Sequence, residues 1–285
     1  MQDRLKIALL LAPALLVIIV LFFGSLGVAL LRSFNYMPIL GLTDPNLDAY
    51  RSLLLSPALY RSFGLTLYIA ATSTGIAIVL AVATALLLRR QFRGRALASF
   101  LVHLNLTIPH LVGAIGILYL LSQSGSFARL SFGMGLIDKP ADFPALIFDR
   151  YSIGVIATYV WKELPFITLV ILANLQSLGD DHTAVARTLG ANRWQAFRHV
   201  LLPQIWPGVL SASAIVFAFT FGAYEIPLLL GASSPQTLPV MAYRSFTDVD
   251  LAARPQAMAL ALLIGGVSAI MIALYTRALR IKRQP

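Results

Sequence analysis

Ionisable side chains lie inside long, mostly apolar stretches of this sequence, among them His110, Lys162, Glu163 and Glu225. Within a membrane-spanning segment, an ionisable group marks a solute path or a gate by default, unless a buried partner holds it. An intramembrane enzyme would need the same groups as its nucleophile and base, so that reading stays open as a less favoured alternative.

Other chemistry is excluded by what the sequence lacks. It has no glycine-rich phosphate loop of the form GxxxxGK(S/T) and no HExxH zinc motif. It has no cysteine, and its four histidines are scattered singly, without metal-ligand spacing. We therefore expect no catalytic residue, metal or cofactor on this chain, and no ATP hydrolysis by it.

The composition indicates an all-α integral membrane protein. Of the 285 residues, 58% are hydrophobic and 12% are charged, whereas about a quarter of a soluble domain is charged. A helix of about 20 apolar residues crosses the hydrocarbon core. We interpret the first apolar run as a retained span, because it is longer than the core of a signal peptide. The sequence predicts one domain over residues 1–285 with six spans, at about 7–31, 62–88, 97–121, 151–178, 204–230 and 255–275.

The distribution of basic residues predicts the orientation of these spans. The formal net charge is +10, which in a soluble protein could indicate nucleic-acid binding. Here the basic residues concentrate in the termini and alternate connections, as on the cytoplasmic side of membrane proteins. We therefore expect cytoplasmic termini, with membrane lipid and not nucleic acid as a partner. The residues assigned to that side are Arg4, Lys6, Arg89, Arg90, Arg93, Arg95, Arg187, Arg193, Arg198, Arg277, Arg280, Lys282 and Arg283.

Two spans carry the residues that we expect to line a solute path or gate. The fourth contains Trp161, Lys162 and Glu163, and the fifth contains Tyr224 and Glu225. Pro165 should kink the fourth span and free a backbone carbonyl. The alternative is structural: Lys162 and Glu163 could each hold a buried partner, and Glu225 could pair with Lys162 or cap a backbone.

A polar segment between these two spans, residues 179–203, is predicted to fold into a helical elbow. Thr183 can cap a short helix that ends at Gly190, since glycine favours the left-handed conformation at a helix end. A second short helix then runs from Arg193 to about Leu202, and Pro203 opens the next span at a first-turn position.

The spacing within the elbow resembles a known family motif. Gly190, followed after nine residues by Val200 and then by Leu202 and Pro203, is similar to the cytoplasmic loop of type I ABC importer permeases. That family places Glu-Ala-Ala shortly before the glycine, and this chain has alanine, valine and alanine at 184–186. The chain lacks the glutamate at Ala184, but the glycine-to-proline spacing is intact.

The resemblance implies a bacterial inner-membrane importer. Two permease subunits would pair, two cytoplasmic ATPase subunits would bind ATP and Mg²⁺, and a periplasmic or lipid-anchored binding protein would deliver the solute. The elbow would dock on the ATPase as a coupling helix. The residues assigned to coupling are Ala184, Ala186, Arg187, Leu189, Gly190, Ala191, Asn192, Arg193, Val200, Leu202 and Pro203.

The sequence indicates the role of an importer permease more specifically than it indicates which solute is carried. The runs GAYEIPLLLG and TLPVMAYRSF are similar to permeases grouped with spermidine/putrescine importers, which favours a polyamine or another small organic cation. Related branches carry ferric iron, thiamine, sulfate or aminophosphonates, and these stay open. A secondary transporter or channel that works without an ATPase is the alternative from a different class.

Overall fold

The computed structural model describes residues 2–178 and 181–281, apart from the side chains of residues 2–5, 8, 178, 181, 182, 276 and 278–281. Regular structure within these residues is helical, with one isolated bridge between Met37 and Leu42. The helices are α1 Gln2–Val17, α2 Gly24–Ser33, α3 Asp48–Leu55, α4 Pro57–Arg89, α5 Arg95–Thr107, α6 His110–Leu121, α7 Ser126–Gly133, α8 Ile153–Leu178, α9 Asp181–Thr188, α10 Arg193–Ala196, α11 Leu202–Gly222, α12 Glu225–Leu230, α13 Leu238–Thr247 and α14 Arg254–Ile281.

Six helical stretches among the described residues are long and apolar enough to cross a membrane. They are Leu9–Ser33, Pro57–Arg89, His110–Gly133, Ile153–Ser177, Arg193–Gly222 and Leu251–Tyr275. The prediction of an all-α membrane protein with six spans is therefore confirmed.

Two of the predicted spans are interrupted. The third, predicted at 97–121, falls on α5 and α6, whereas the stretch long enough to cross a membrane there is His110–Gly133. The break arises because Ile108 is extended before Pro109 and proline disfavours helical geometry in the preceding residue. The fifth, predicted at 204–230, is α11 followed by α12, with an extended residue at Ala223. Glu225 therefore begins a short helix and does not lie within one continuous span.

The chain divides into two compact units, and the expectation of a single domain stays a prediction. The first unit contains Met1–Arg61 and Leu238–Gly266. Within it, the Tyr50 hydroxyl lies 2.8 Å from the Ser33 Oγ and donates to it, which joins α3 to α2. The Gln256 amide donates to the Ser52 Oγ at 3.1 Å.

The second unit, Ser62–Thr237 and Val267–Pro285, contains the main helical core. A stripe of alanines on α4, at positions 77, 81 and 85, is fully buried. The stripe has helical spacing, and its small side chains let helices approach closely where lipid provides no hydrophobic driving force. It packs against branched side chains of α8 and α11, namely Ile167, Ile171, Leu175, Ile205, Val209 and Val216.

A close contact between α8 and α11 depends on a glycine. A Cβ added at Gly208 would lie 1.9 Å from the Asn174 Nδ2. The same Nδ2 donates to the backbone oxygen of Val170 at 3.0 Å, so the amide is held within α8. Gly208 is therefore needed for packing at this crossing.

A second buried cluster lies beside the interruption between α11 and α12. It joins residues of α4, α6, α8 and α12, including Ile69, Ala114, Tyr159 and Ile226. The hydroxyl of the buried Tyr159 donates to the backbone oxygen of Ala223 at 3.4 Å, at the break between α11 and α12. The cluster thus packs α8 against α4, α6 and the start of α12.

Candidate functional site

Lys162 closes the break between α5 and α6. Its side chain is buried, and its Nζ donates to the backbone oxygens of Ile108 at 2.6 Å and Asn105 at 2.7 Å, and to the Asn105 Oδ1 at 3.2 Å. An ammonium has three N–H donors, so these acceptors match its full capacity. Carbonyls at a helix C-terminus lack helical partners and attract a cation. Lys162 therefore has buried hydrogen-bond partners. This is the structural role that the sequence left open as the alternative to lining a solute path.

The carbonyl freed by Pro165 is also used. Pro165 lies inside α8 and cannot donate to the Trp161 carbonyl four residues earlier. The side-chain amide of Asn105 donates to that oxygen instead. Asn105 thus bonds to Trp161 through its nitrogen and to Lys162 through its oxygens, and it was not among the predicted site residues. The available signal was an amide residue shortly before Pro109 in an apolar span.

Trp161 marks the place where α8 approaches α6. A Cβ added at Gly113 would lie 3.0 Å from the indole ring of Trp161. The Lys162 Nζ lies 5.5 Å from the centroid of the same ring, within the range of a cation–π contact. Trp161 is 39% exposed, so it combines a structural contact with a surface that a partner or solute could reach.

Glu163 and His110 form a pair at a small cavity. The His110 Nε2 lies 3.4 Å from the Glu163 Oε1, with Glu163 nearly buried and the histidine side chain 39% exposed. The His110 ring also lies 4.9 Å from the ring of Phe219, measured between centroids. Both polar residues line a cavity of roughly 250 Å3, together with Leu106, Lys162, Phe166, Ile215, Val216 and Phe219. This cavity is the part of the predicted path at which polar side chains converge.

Tyr224 and Glu225 stand at the other interruption. Tyr224 precedes α12, and Glu225 is its first residue, where an acidic side chain favours the positive end of a helix. Both are half-buried. Lys162 bonds to the end of α5, so within the described contacts it is not the partner of Glu225.

The first half of the elbow is α9 and its glycine cap. Gly190 has a φ of +90°, the left-handed conformation predicted for it. The Gly190 amide donates to the Arg187 oxygen and the Ala191 amide to the Ala186 oxygen, both at 3.0 Å. These two bonds form a Schellman motif. The assignment of Thr183 as the N-cap is wrong, because α9 already includes Asp181 and Thr183 lies within it.

The second half of the elbow begins with a capping box. The Asn192 side chain accepts from the Gln195 amide at 2.8 Å, and the Gln195 side chain accepts from the Asn192 amide at 2.9 Å. The predicted end near Leu202 is wrong. Helix α10 continues through a π-helical turn, Phe197–Leu201, into α11. That turn precedes Pro203, whose missing N–H breaks regular α-helical bonding.

The predicted coupling residues differ in exposure. Most of those between 184 and 193 are exposed, whereas Leu202 packs against the main core. The structure adds Val185 and Trp194, which are 57% and 63% exposed, and Leu189 is 83% exposed. Val185 lies on α9, and Leu189 directly follows the last residue of that helix. The Leu189 amide donates to the Val185 oxygen, so the two side chains lie on the same side of the elbow. The elbow therefore presents large apolar side chains, which the motif spacing did not reveal.

Six helices long enough to span a membrane, with a folded elbow between the fourth and fifth, define a multi-span membrane protein. Residues 73–281 match the family described as the binding-protein-dependent transport system inner membrane component. The chain belongs to this family, as the resemblance of its elbow predicted. Members of the family are permease subunits of ABC importers and not enzymes, so the intramembrane enzyme and the ATPase-independent transporter are set aside.

Curated relatives align over most of the chain. The molybdenum transport system permease protein of Mycobacterium tuberculosis is 31% identical over 227 residues, covering 78% of this chain and 80% of the relative. The trehalose transport system permease protein of the same species is 28% identical, covering 82% and 76%. The sulfate transport system permease protein of Salmonella typhimurium is 24% identical, covering 66% and 64%.

Solved structures match the fold. A chain of a bacterial ABC transporter involved in import of the acidic polysaccharide alginate superposes with a TM-score of 0.82 at 21% identity, covering 99% of this chain and 97% of that one. A chain of the MetNI methionine ABC transporter in an inward-facing conformation superposes with a TM-score of 0.58 at 19% identity, covering 78% and 95%. The likeness confirms the importer permease fold.

Proposed function

We propose that this permease subunit forms half of the solute path of an ATP-driven importer and couples to a separate cytoplasmic ATPase through its elbow. The observation that carries the coupling role is the exposed apolar surface formed by Val185 and Leu189 at the end of α9, with Leu189 at 83% exposure beside the capped Gly190. Such a face favours seating in a groove of a partner. ATP and Mg²⁺ would be bound by that partner.

The expected assembly follows from the same role. Two copies of the ATPase would serve two permease subunits, the second being identical or homologous. A periplasmic or lipid-anchored binding protein would deliver the solute to the outer face. The distribution of basic residues supports a bacterial inner-membrane location with both termini in the cytoplasm.

For the solute, we favour a tetrahedral oxyanion such as molybdate or sulfate over the polyamine expected from the sequence. The polyamine expectation came from the runs GAYEIPLLLG and TLPVMAYRSF, with Glu163 and Glu225 as charges that would also favour a cation. One of these carboxylates, Glu163, lies 3.4 Å from the His110 Nε2. Relatives named for molybdenum and sulfate support the oxyanion. One relative is named for trehalose, so uptake of a neutral sugar is the result that would contradict the oxyanion proposal.

The coupling role can be tested by copurification in mild detergent. We expect the wild-type chain to retain an ATPase subunit and Leu189→Asp to lose it, because a charge would enter an apolar contact. Val249→Asp is the matched control, since Val249 is 96% exposed and lies outside the elbow. Retention of the ATPase by Leu189→Asp, or its loss from both variants, would argue against docking through the elbow.

The solute can be tested separately, in cells of the source organism from which the gene for this chain has been deleted. We expect its expression to restore accumulation of molybdate or sulfate, measured as the element or as radiolabel. Restoration of putrescine or trehalose uptake, without oxyanion uptake, would overturn the oxyanion proposal and leave the coupling role intact.

A further inference from the structure

A second cavity lies beside the elbow, at the end of α4. Its volume is roughly 460 Å3, larger than the cavity of roughly 250 Å3 that His110 and Glu163 line. The walls come from the last turns of α4, from α9, and from the start of the helix that leads into α11. The lining residues are Leu86, Arg89, Arg90, Thr183, Arg187, Arg193, Ala196, Phe197 and Leu201.

Positive charge dominates the lining. Four of the lining residues are arginines and none of them is acidic. The side chains of Asp180 and Asp181 lie outside the described residues, and even with both counted the four guanidinium groups leave a positive excess. Guanidinium groups present planar forks of donors that match phosphate oxygens. The charge and the donor type therefore point to a phosphate-bearing ligand.

The remaining lining is apolar and continues toward the spans. Leu86 and Leu201 flank the cavity and pack against the main core through their own helices. Phe197 also lines it, and its ring lies 5.5 Å from that of Trp194, which is 63% exposed. Exposed tryptophan next to arginine is typical of the headgroup region of a membrane. One wall thus suits a phosphate and the other an acyl chain.

We propose that this cavity binds the phosphate headgroup of an anionic phospholipid of the inner leaflet, and we name it the headgroup cavity. The proposal rests on the cytoplasmic placement of the elbow in the proposed function. Basic pockets at the cytoplasmic ends of membrane helices recruit phosphorylated headgroups, cardiolipin included. Cardiolipin carries two phosphates, which fits a cavity with four arginines.

A bound headgroup would link the elbow to a neighbouring span. Arg90 follows α4, whereas Arg187 and Arg193 lie on either side of the Gly190 cap. A phosphate held by both groups would favour the elbow conformation with the cap formed. Coupling between ATP hydrolysis and transport should therefore depend on anionic lipid.

Binding is tested first with the purified full chain, by native mass spectrometry with added cardiolipin. Replacing two cavity arginines, Arg90→Gln with Arg193→Gln, should weaken cardiolipin binding roughly thirty-fold, from the attraction of each basic residue to an anionic surface. The matched control, Arg93→Gln with Arg198→Gln, removes the same charge from exposed positions outside the lining. It should change cardiolipin binding much less than the cavity pair does, because neither of its side chains lines the cavity. Equal loss in both pairs would show general charge attraction and overturn the site.

Two further arms separate the sources of phosphate and the competing partner. Inorganic phosphate in excess should not displace cardiolipin, and displacement would assign the cavity to a soluble anion. If the cavity pair loses the ATPase in copurification but keeps cardiolipin binding, the cavity is a subunit contact and the lipid proposal fails. Cardiolipin binding is measured on the purified chain with no ATPase present. The lipid proposal can therefore succeed or fail independently of the proposed coupling to an ATPase.

For the complex, we expect transport per ATP hydrolysed to be higher in vesicles of phosphatidylcholine with cardiolipin than in phosphatidylcholine alone. The cavity pair should lose this difference and the control pair should keep it. A lipid-independent wild type would overturn the regulatory part of the proposal.

Discussion

Substitution of Gly190 tests whether the conformation of the elbow controls coupling. A Cβ at Gly190 would meet no atom within 4 Å, so a substitution acts only through the backbone φ of +90°. For an L-residue the left-handed conformation costs about 1–2 kcal/mol, and asparagine tolerates it better. A β-branched residue is disfavoured most strongly. The damage should therefore increase in the order asparagine, alanine, valine.

The expected magnitude follows from this strain. A penalty of about 1–2 kcal/mol shifts the equilibrium between the capped and uncapped elbow by roughly five- to thirty-fold. The assay is reconstitution with the ATPase in liposomes, with solute transported per ATP hydrolysed as the readout. Gly190→Val should lower that ratio at least several-fold, with normal membrane insertion and an unchanged elution volume in detergent.

Gly135 provides the control for backbone strain. Its φ is +70°, an added Cβ there also meets no atom within 4 Å, and it lies outside the elbow. Gly135→Val should leave the transport ratio near that of the wild type. Two results would refute the reasoning: full coupling in Gly190→Val, or damage from Gly190→Asn as large as that from Gly190→Val.

Three further predictions concern the spans. Lys162→Met should lower the unfolding temperature in detergent, since each buried carbonyl left unpaired costs about 1–3 kcal/mol; stability equal to that of Arg198→Met would contradict the structural role of Lys162. Gly208→Ala should destabilise the chain by about 1–3 kcal/mol through overpacking against Asn174. Adding Asn174→Ala should restore stability, and Gly75→Ala, where space is open, should have little effect. Glu225→Gln should leave initial rates of oxyanion uptake unchanged or raised, because it removes a repelling charge, and a large loss of oxyanion uptake would contradict that repulsion.

Much of the elbow could be predicted from local sequence. Glycine at 190 predicts a left-handed helix end, because that conformation costs glycine little. The capping box of Asn192 and Gln195 was equally local and could have been identified from the Asn-x-x-Gln spacing. The start of α9 could not be placed from Thr183, since a threonine inside a helix and a threonine at its cap look alike in sequence.

The charged residues in the spans show the opposite case. Sequence indicated that Lys162 is costly inside a membrane and needs a partner or a cavity, but its acceptors come from residues 54 and 57 positions away. The partner of the Trp161 carbonyl, Asn105, is equally distant. Such pairings depend on how α5, α6 and α8 pack, which no local pattern encodes.

By itself, the sequence determined the class of this protein: six apolar runs must be helices, because lipid cannot satisfy backbone hydrogen bonds. It also determined the centre of the elbow, the glycine end of α9 and the capping box that follows it, because glycine and asparagine impose their conformations locally. Only the tertiary structure decided what the buried charges do. It placed Lys162 on the carbonyls at the end of α5, paired Glu163 with His110, and brought four arginines into one cavity, since each arrangement joins segments that are adjacent only after the helices pack.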